Sequence, residues 1–207
     1  IEVGEYARLG NVIRHYRVAS TDNQEVRTSE RQDINFVYLG RVTSQRGAVA
    51  MTQLMTTFPS ATLHIFGSLK PNDKDVEILL STKNVRFWGY LDASALAQKI
   101  APLEHVIGLC LLKPLPNYLD SFPTKICDYF ALGVPVLATK ISSWMDTFGT
   151  EGIEYCGYDA HVSELKSAVQ SLITSAEKPP RDKFCWRTSD ESELLNFYRS
   201  LEGSNEF

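Results

Sequence analysis

The chain has 207 residues, of which 43% are hydrophobic and 22% are charged, proportions close to those of ordinary soluble domains. A chain of this length can bury roughly 70% of its unfolded surface without disulfides or metal ions. The formal net charge of −4 argues against a general nucleic-acid-binding surface. No apolar run approaches the roughly 20 residues of a membrane-spanning helix, and no signal peptide is recognisable.

The cysteines and histidines show no metal-binding spacing, so a metal site is not expected. The cysteines are far apart and mostly lie inside or beside apolar runs, which predicts reduced, buried thiols in a cytoplasmic protein; they are Cys110, Cys127, Cys156 and Cys185. The sequence begins with Ile1 rather than methionine, which suggests a fragment or a processed product.

The first third of the chain predicts a linker, a strand and a helix. Residues 1–33 are largely polar towards their end and indicate an interdomain or linker segment. Residues 34–39 form the first clear strand, which ends at Gly40 and Arg41, and Arg46 follows in the next loop. The helix after that loop has apolar residues at near-helical spacing, all predicted to pack against a sheet: Val49, Met51, Leu54, Met55 and Phe58.

Three more strands follow, separated by helices. The predicted strands are residues 61–67, 84–89 and 105–112, and the helices between them are residues 73–82 and 94–101. Lys70 lies in the loop after the first of these strands, and a polar turn at Tyr90 follows the second. His64 alternates with apolar neighbours, which is typical of a hydrogen-bonded sheet histidine rather than a catalyst. Trp88 is predicted to belong to the core.

The most informative stretch runs from residue 105 to 140. An apolar strand leads into a proline-punctuated loop, a helix that opens at Pro123 and ends at Gly133, and a short strand at residues 134–139. This is a βαβ crossover. A last strand at 152–157 and a helix at 161–176 complete a strict alternation of strands and helices, which predicts an α/β fold with a parallel sheet of about six strands.

Ligands of such sheets bind beyond the carboxyl ends of the strands, where five candidates fall: Arg41, Lys70, Gly89, Asp120 and Asp128. The two acids bracket the start of one helix, and Asp128 points back towards the loop because helical side chains lean towards the N-terminus. Free N–H groups at residues 122–125 and the helix dipole favour an anion there, so the acids would accept hydrogen bonds from neutral hydroxyls. Taken singly, these charged residues can equally be solvated surface groups.

The order of these motifs resembles the C-terminal domain of the retaining, nucleotide-sugar-dependent glycosyltransferases of group one (family four), which have the GT-B fold. The resemblance rests on three motifs. Two acids separated by seven residues, Asp120 and Asp128, precede A-L-G-V-P-V. Gly40-Arg41 is followed after four residues by Arg46-Gly47, and the strand N-V-R-F-W-G is the third motif. The family usually has Glu at both acidic positions and Lys where Arg46 stands. Aspartate reaches less far by one methylene, whereas arginine can bind phosphate oxygens bidentately.

The resemblance implies a Rossmann-like, doubly wound sheet that binds a UDP-sugar or GDP-sugar without a metal ion or other cofactor. It implies that Arg41 and Arg46 hold the diphosphate. Asp128 would accept hydrogen bonds from the ribose, and Asp120 from the transferred sugar, so that both arginines and Asp120 are catalytic candidates. The other donor-binding candidates are Gly40, Lys70, Gly89, Tyr90, Leu91, Ser121, Phe122, Pro123 and Thr124, of which 89–91 would contact the base.

By the same resemblance, the chain is the donor-binding domain of a hexosyltransferase that adds a sugar to a glycan or lipid-linked acceptor in polysaccharide biosynthesis, in the cytoplasm or at the inner membrane face. An N-terminal Rossmann-like domain would supply the acceptor site, so this piece alone is expected to be inactive. The implied organisation is a linker at 1–33, a nucleotide-sugar-binding domain at 34–178 and a tail with a crossing helix at 179–207. Two alternatives stay open: a non-catalytic α/β interaction module and a nucleotide-sugar epimerase-like domain.

Overall fold

The computed structural model describes residues 34–175 and 179–180, and within them the chain forms one sheet of six parallel strands in the order β3-β2-β1-β4-β5-β6. The strands are β1 (Asn35–Val42), β2 (Thr62–Leu69), β3 (Val85–Gly89), β4 (Val106–Cys110), β5 (Val136–Thr139) and β6 (Ile153–Cys156). The order reverses between β1 and β4, which is where a doubly wound sheet binds ligands. The predicted fold class is confirmed.

Helices cover both faces of the sheet. They are α1 (Ala48–Thr57), α2 (Lys74–Ser81), α3 (Ala93–Ile100), α4 (Pro116–Leu119), α5 (Thr124–Leu132), α6 (Ser142–Phe148) and α7 (Val162–Thr174). Successive strand residues point to opposite faces, so that Phe36 joins a core cluster with α1, α2 and α7, whereas Val37 joins a second cluster with α3, α5 and α6. Two covered faces explain why residues 36–39 of β1 and the whole of β4 are apolar on both sides.

The element boundaries differ from the predictions in a few places. β1 continues to Val42 and β2 to Leu69, so Gly40 and Arg41 lie inside the last part of a strand rather than at its end. The prediction that Val49 packs on the sheet is wrong, because its side chain is 45% exposed. It lies about 200° around the helix from Met51, which faces the core instead. The sequence did not predict α4 and α6.

His64 is a structural histidine, as predicted. It is buried, its Nε2 lies 3.1 Å from Oδ1 of Asn35, and its Nδ1 accepts a hydrogen bond of 3.2 Å from the indole N–H of Trp88. Burial, together with the charges of Arg86 and Lys99, lowers the pKa of His64 to about 4. The ring is therefore neutral at pH 7 and has both nitrogens occupied. Trp88 itself is only half-buried.

Tyr129 fixes α5 to the centre of the sheet. Its hydroxyl accepts a hydrogen bond of 3.0 Å from the N–H of Leu39 and lies within donating distance of the carbonyl oxygens of Val37 and Leu109, at 3.0 and 3.1 Å. The ring packs against Gly108, where an added Cβ would lie 2.5 Å from it. The helix that carries Asp128 thus has a fixed position over β1 and β4.

Several predictions concern residues outside the described ranges. The linker at 1–33, the tail beyond residue 180 and its crossing helix, and Cys185 all lie there, so the proposed domain boundaries stay predictions. Of the described cysteines, Cys110 and Cys156 are buried, and burial raises the pKa of each thiol to about 12. Cys127 is half-buried. None of the described helices has the length and apolar character needed to cross a bilayer.

Candidate functional site

The carboxyl edge of the sheet brings three glycines of adjacent strands side by side. In the strand register Gly40 pairs with Gly67, and Gly89 pairs with the residue before Gly67. All three have positive φ, at +109°, +136° and +72°, which L side chains rarely adopt. An added Cβ at Gly67 would lie 2.2 Å from the carbonyl oxygen of Gly40, whereas one at Gly40 would meet nothing within 4 Å. The strands can approach this closely only because Gly67 has no side chain.

The turn after β1 carries the second candidate arginine. Ser44–Arg46 form a single turn of 3-10 helix. The buried Tyr38 places its hydroxyl 3.0 Å from the carbonyl oxygens of both Arg41 and Arg46. Gly47 then turns the chain with φ +95°, and an added Cβ would lie 2.5 Å from the carbonyl oxygen of Leu111, just after β4. The backbone between the two arginines is therefore fixed, while both side chains are exposed.

Asp73 holds the same turn from the other side. Its carboxylate accepts a hydrogen bond of 3.0 Å from the N–H of Ser44 and a second bond from the Ser44 hydroxyl. Mainly because of these bonds, the pKa of Asp73 is lowered to about 2. The ammonium of Lys70, predicted to border the donor, lies 3.6 Å from Asp73. Lys70 thus helps to support the segment from Arg41 to Arg46, which is called the arginine turn below.

Asp120 lies in the loop between α4 and α5, and α6 holds that loop on both sides of it. The Ser143 hydroxyl donates to the carbonyl oxygen of Leu119, and the indole N–H of the fully buried Trp144 donates to that of Ser121 at 2.8 Å. The carboxylate of Asp120 is exposed. The backbone that presents this acid is therefore fixed by a helix that the sequence did not predict.

The N-terminus of α5 is not capped by a side chain. Pro123 occupies the N-cap position, and no described residue accepts a hydrogen bond from the N–H groups of Thr124 and Lys125. Phe122, just before the helix, is 52% exposed and contacts the ring of Phe148 at 5.2 Å between centroids. Unpaired N–H groups and the positive end of the helix dipole make this end suited to an oxyanion.

Asp128 is a half-buried acid one turn into α5. Within the described ranges, no group donates a hydrogen bond to its carboxylate. Burial raises its pKa to about 6, and the nearby charge of Lys125 opposes that rise. Its oxygens are open to solvent, because the described residues contain no buried side-chain oxygen without a partner, so the carboxylate can accept hydrogen bonds from the hydroxyls of a ligand.

Two contacts bring the arginine turn next to the loop of the acids. The Arg46 Nε donates to the hydroxyl of Tyr118 at 3.4 Å, and the Lys125 Nζ lies 3.9 Å from the ring centroid of Tyr38. The base-contact candidates lie further along the edge: Gly89 and Leu91 are half-buried and Tyr90 is 87% exposed. They sit two strands from β1, about 10 Å away at the usual strand spacing.

Sequence reasoning did not find four residues that shape this edge: Asp73, Tyr118, Lys125 and Trp144. Lys125 lies inside the recognised motif, but only its backbone N–H was considered. The others have no distinguishing spacing, and their roles depend on contacts between distant parts of the chain. Within the described residues, no group of three His, Cys, Asp or Glu side chains could hold a metal ion.

The raised pKa of Asp128 predicts a pH-dependent effect on stability. Its carboxyl ionises near pH 6 in the folded protein and near 3.8 when unfolded, so between these values the unfolded state loses protons first and the unfolding free energy falls as pH rises. Asp128→Asn should therefore be more stable than the parent at pH 7.5, with the difference shrinking towards pH 4. Urea unfolding at pH 7.5 and pH 4 measures the difference in unfolding free energy between Asp128→Asn and the parent.

Glu151→Gln controls for the change in net charge, because it removes an exposed acid just before β6. If Asp128→Asn differed from the parent by the same amount at both pH values, the prediction would be contradicted.

The comparisons with known proteins agree with this architecture. Three solved structures share the fold. AviGT4, a glycosyltransferase involved in avilamycin A biosynthesis, matches with a TM-score of 0.60 and 15% identity over 82% of this chain and 52% of that chain. A mutant of S. aureus TarM in complex with fondaparinux, alpha-GlcNAc-glycerol and UDP has a TM-score of 0.56 and 14% identity over 86% of this chain and 38% of that chain, and the pneumococcal O-GlcNAc transferase GtfA in complex with UDP and GlcNAc has a TM-score of 0.51 and 12% identity over 86% and 37%. The chain thus spans about half or less of each.

Among curated protein sequences, none matches this chain significantly. Residues 20–184, most of the chain, match the family model described as glycosyl transferases, group 1. Together with the six-stranded parallel sheet shared with GT-B glycosyltransferases, this match means that the chain belongs to the group 1 glycosyl transferases.

Proposed function

We propose that the chain is the donor-binding domain of a retaining glycosyltransferase and binds a nucleoside-diphosphate sugar between the arginine turn and the start of α5. The observation that carries the proposal is the half-buried Asp128 carboxylate, which lacks a hydrogen-bond donor among the described residues and sits beside an uncapped helix N-terminus. Two of the similar structures contain UDP, which supports a nucleotide ligand of this kind.

The two acids and the cations recognise different parts of the donor. Asp128 accepts hydrogen bonds from the ribose hydroxyls, and Asp120 accepts them from hydroxyls of the transferred sugar. The diphosphate meets Arg41, Arg46 and the N–H groups at residues 124 and 125. Hydrogen bonds that involve an ionised partner are shorter and stronger than neutral ones, so the arginines contribute most to affinity.

The same groups assist departure of the diphosphate. When the bond between the sugar and the phosphate breaks, negative charge grows on the leaving oxygens, and fixed cations and amides stabilise it without reorganising. In this scheme arginines and backbone amides supply the charge stabilisation, so no metal ion is required. The domain belongs to a transferase that retains the anomeric configuration of the donor.

The acceptor side of the reaction lies elsewhere in the whole enzyme. Because the chain spans only 52%, 38% and 37% of the similar structures, a second Rossmann-like domain supplies the acceptor site in our proposal. The acceptor is a glycan or a lipid-linked glycan, and the reaction takes place at the cytoplasmic face of a membrane in polysaccharide biosynthesis. The chain alone binds the donor but transfers no sugar.

Thermal unfolding with UDP, GDP and ADP tests the proposal. A nucleotide present at about 100 times its Kd should add about 2.7 kcal/mol to the unfolding free energy, and we expect this for at least one of the three. Absence of any shift at millimolar concentrations would contradict the proposal and favour a non-catalytic interaction module.

The ribose contact has its own test. Isothermal titration should show that Asp128→Asn lowers affinity for the bound nucleoside diphosphate by about 1 kcal/mol or more, because an ionised acceptor is lost. The 2′,3′-dideoxy analogue should bind the parent more weakly, and Asp128→Asn, whose amide keeps one accepting oxygen, should discriminate less between the two ligands than the parent does. Glu151→Gln should behave as the parent. Equal discrimination in parent and Asp128→Asn would contradict the assignment of Asp128 to the ribose.

A further inference from the structure

We propose that the ammonium group of Lys125 is a third cation of the donor site and contacts a phosphate oxygen of the nucleoside diphosphate. This inference rests on the proposed function and adds a residue to it. Lys125 is the second residue of α5, so that its side chain begins at the helix end that we assign to the diphosphate.

The ring of Tyr38 fixes the position of this cation. The Lys125 Nζ lies 3.9 Å from the ring centroid, a distance at which a cation is attracted to the face of an aromatic ring. The ring cannot shift, because Tyr38 is fully buried and its hydroxyl lies 3.0 Å from the carbonyl oxygens of Arg41 and Arg46. The ammonium is therefore held on the side chain that organises the arginine turn.

The charge balance around Lys125 leaves room for an anion. Lys125 forms no ion pair with any residue in the described ranges, where the ion pair found is that of Lys70 with Asp73. Asp128 is close enough for Lys125 to lower its pKa, but burial has the larger, opposite effect. The residues that we assign to the donor site are thus three cations, Arg41, Arg46 and Lys125, and two acids, Asp120 and Asp128, and a diphosphate would neutralise their net positive charge.

Lys125 occupies an electrostatically unfavourable position on its helix. A cation in the first turn of an α-helix lies at the positive end of the helix dipole, which is unfavourable. No acidic residue occupies that turn of α5 to offset it. A residue that breaks a local rule in this way is expected at functional sites, and an anion bound at the same end would compensate for it.

A purely structural role is the competing explanation, in which Lys125 only packs on the Tyr38 ring. The two roles differ in what they predict for ligands with and without phosphate. A phosphate contact affects binding of a nucleoside diphosphate and leaves binding of the matching nucleoside unchanged. Loss of packing would disturb the turn and weaken both.

The test compares Lys125→Met and Lys125→Arg with the parent. Titration calorimetry measures the affinity for UDP, GDP or ADP, whichever binds the parent, and chemical-shift titration measures the affinity for uridine, guanosine or adenosine. Lys125→Met keeps the length of the side chain and should weaken diphosphate binding by roughly tenfold or more, with nucleoside binding little changed. Lys125→Arg should keep most of the diphosphate affinity. Lys166→Met, at an exposed position of α7, is the control for loss of one positive charge.

Each result of this experiment supports or overturns either the inference about Lys125 or the proposed function. If the parent binds the diphosphate and Lys125→Met binds it equally well, the inference is overturned and the proposed function stands. If Lys125→Met weakens the diphosphate and the nucleoside alike, the role is structural and the inference is again overturned. If the parent binds no nucleoside diphosphate, the proposed function itself fails. Lys125→Gln carries the same expectations should the methionine variant not fold.

Discussion

Replacing Gly67 with alanine should lower the unfolding free energy by about 3 kcal/mol or more. Two costs add at this position. The residue has φ +136°, where a side chain is strained by about 1–3 kcal/mol, and the new Cβ would lie 2.2 Å from the carbonyl oxygen of Gly40. That oxygen belongs to the backbone of the neighbouring strand and cannot move alone, so β1 and β2 would have to separate. Urea unfolding followed by circular dichroism measures the loss.

Gly40→Ala is the matched control for this variant. Gly40 also has positive φ, +109°, but an added Cβ there would meet nothing within 4 Å. It should therefore cost only the backbone strain, about 1–3 kcal/mol. The difference between the two variants isolates the close approach of β1 and β2. Equal losses would mean that the contact between these strands does not limit the side chain at Gly67.

Removing both candidate arginines should abolish most of the affinity for a nucleoside diphosphate. A hydrogen bond to a charged group contributes about 1.5–3 kcal/mol. Arg41→Ala with Arg46→Ala should therefore cost about 3 kcal/mol or more, which is more than a hundredfold in Kd. Both side chains are exposed, so the stability of the fold should change little. Titration calorimetry with whichever of UDP, GDP and ADP binds the parent measures this effect.

Two further variants sharpen the arginine prediction. Arg46→Lys introduces the residue that the family usually has at this position and should keep most of the affinity, although it loses bidentate contact. Arg86→Ala removes an exposed arginine of β3 and should behave as the parent. If Asp128→Asn weakened binding while the double arginine variant did not, the ribose site would survive and our assignment of the diphosphate would be wrong.

The sequence predicted most of the strands because they are short apolar runs bounded by glycine, proline or polar residues, whereas β3 and β6 each contain a charged residue, Arg86 and Glu154. β4 and β5 are covered on both faces, so their apolar runs are continuous and easily recognised. The two unpredicted helices are four and seven residues long. α6 contributes two buried anchors to the core, Trp144 and Phe148, which is too few for a period to be visible. These two helices could not be predicted because they are short, and their composition was not the obstacle.

For the site, the sequence and the family resemblance named residues but could not show which side chains meet. Arg46 and Tyr118 are 72 residues apart in the chain, and Trp144 is 23 residues from Ser121. The first of these contacts exists because the sheet order places β1 beside β4, which no local pattern records. The partial burial of Asp128 likewise depends on how the chain packs. A sequence motif can therefore identify an acid without showing that its pKa is raised.

If Asp120 contacts the transferred sugar as we propose, the attachment of its loop to α6 affects which sugar epimer the domain accepts. Because Ser143 and Trp144 hold the carbonyl groups on both sides of Asp120, the backbone at this acid cannot follow a hydroxyl that points axially instead of equatorially. Only the short aspartate side chain can adjust, and it has one methylene fewer than glutamate with which to do so. We therefore expect stereochemical selectivity for the donor to come from the rigidity of this loop.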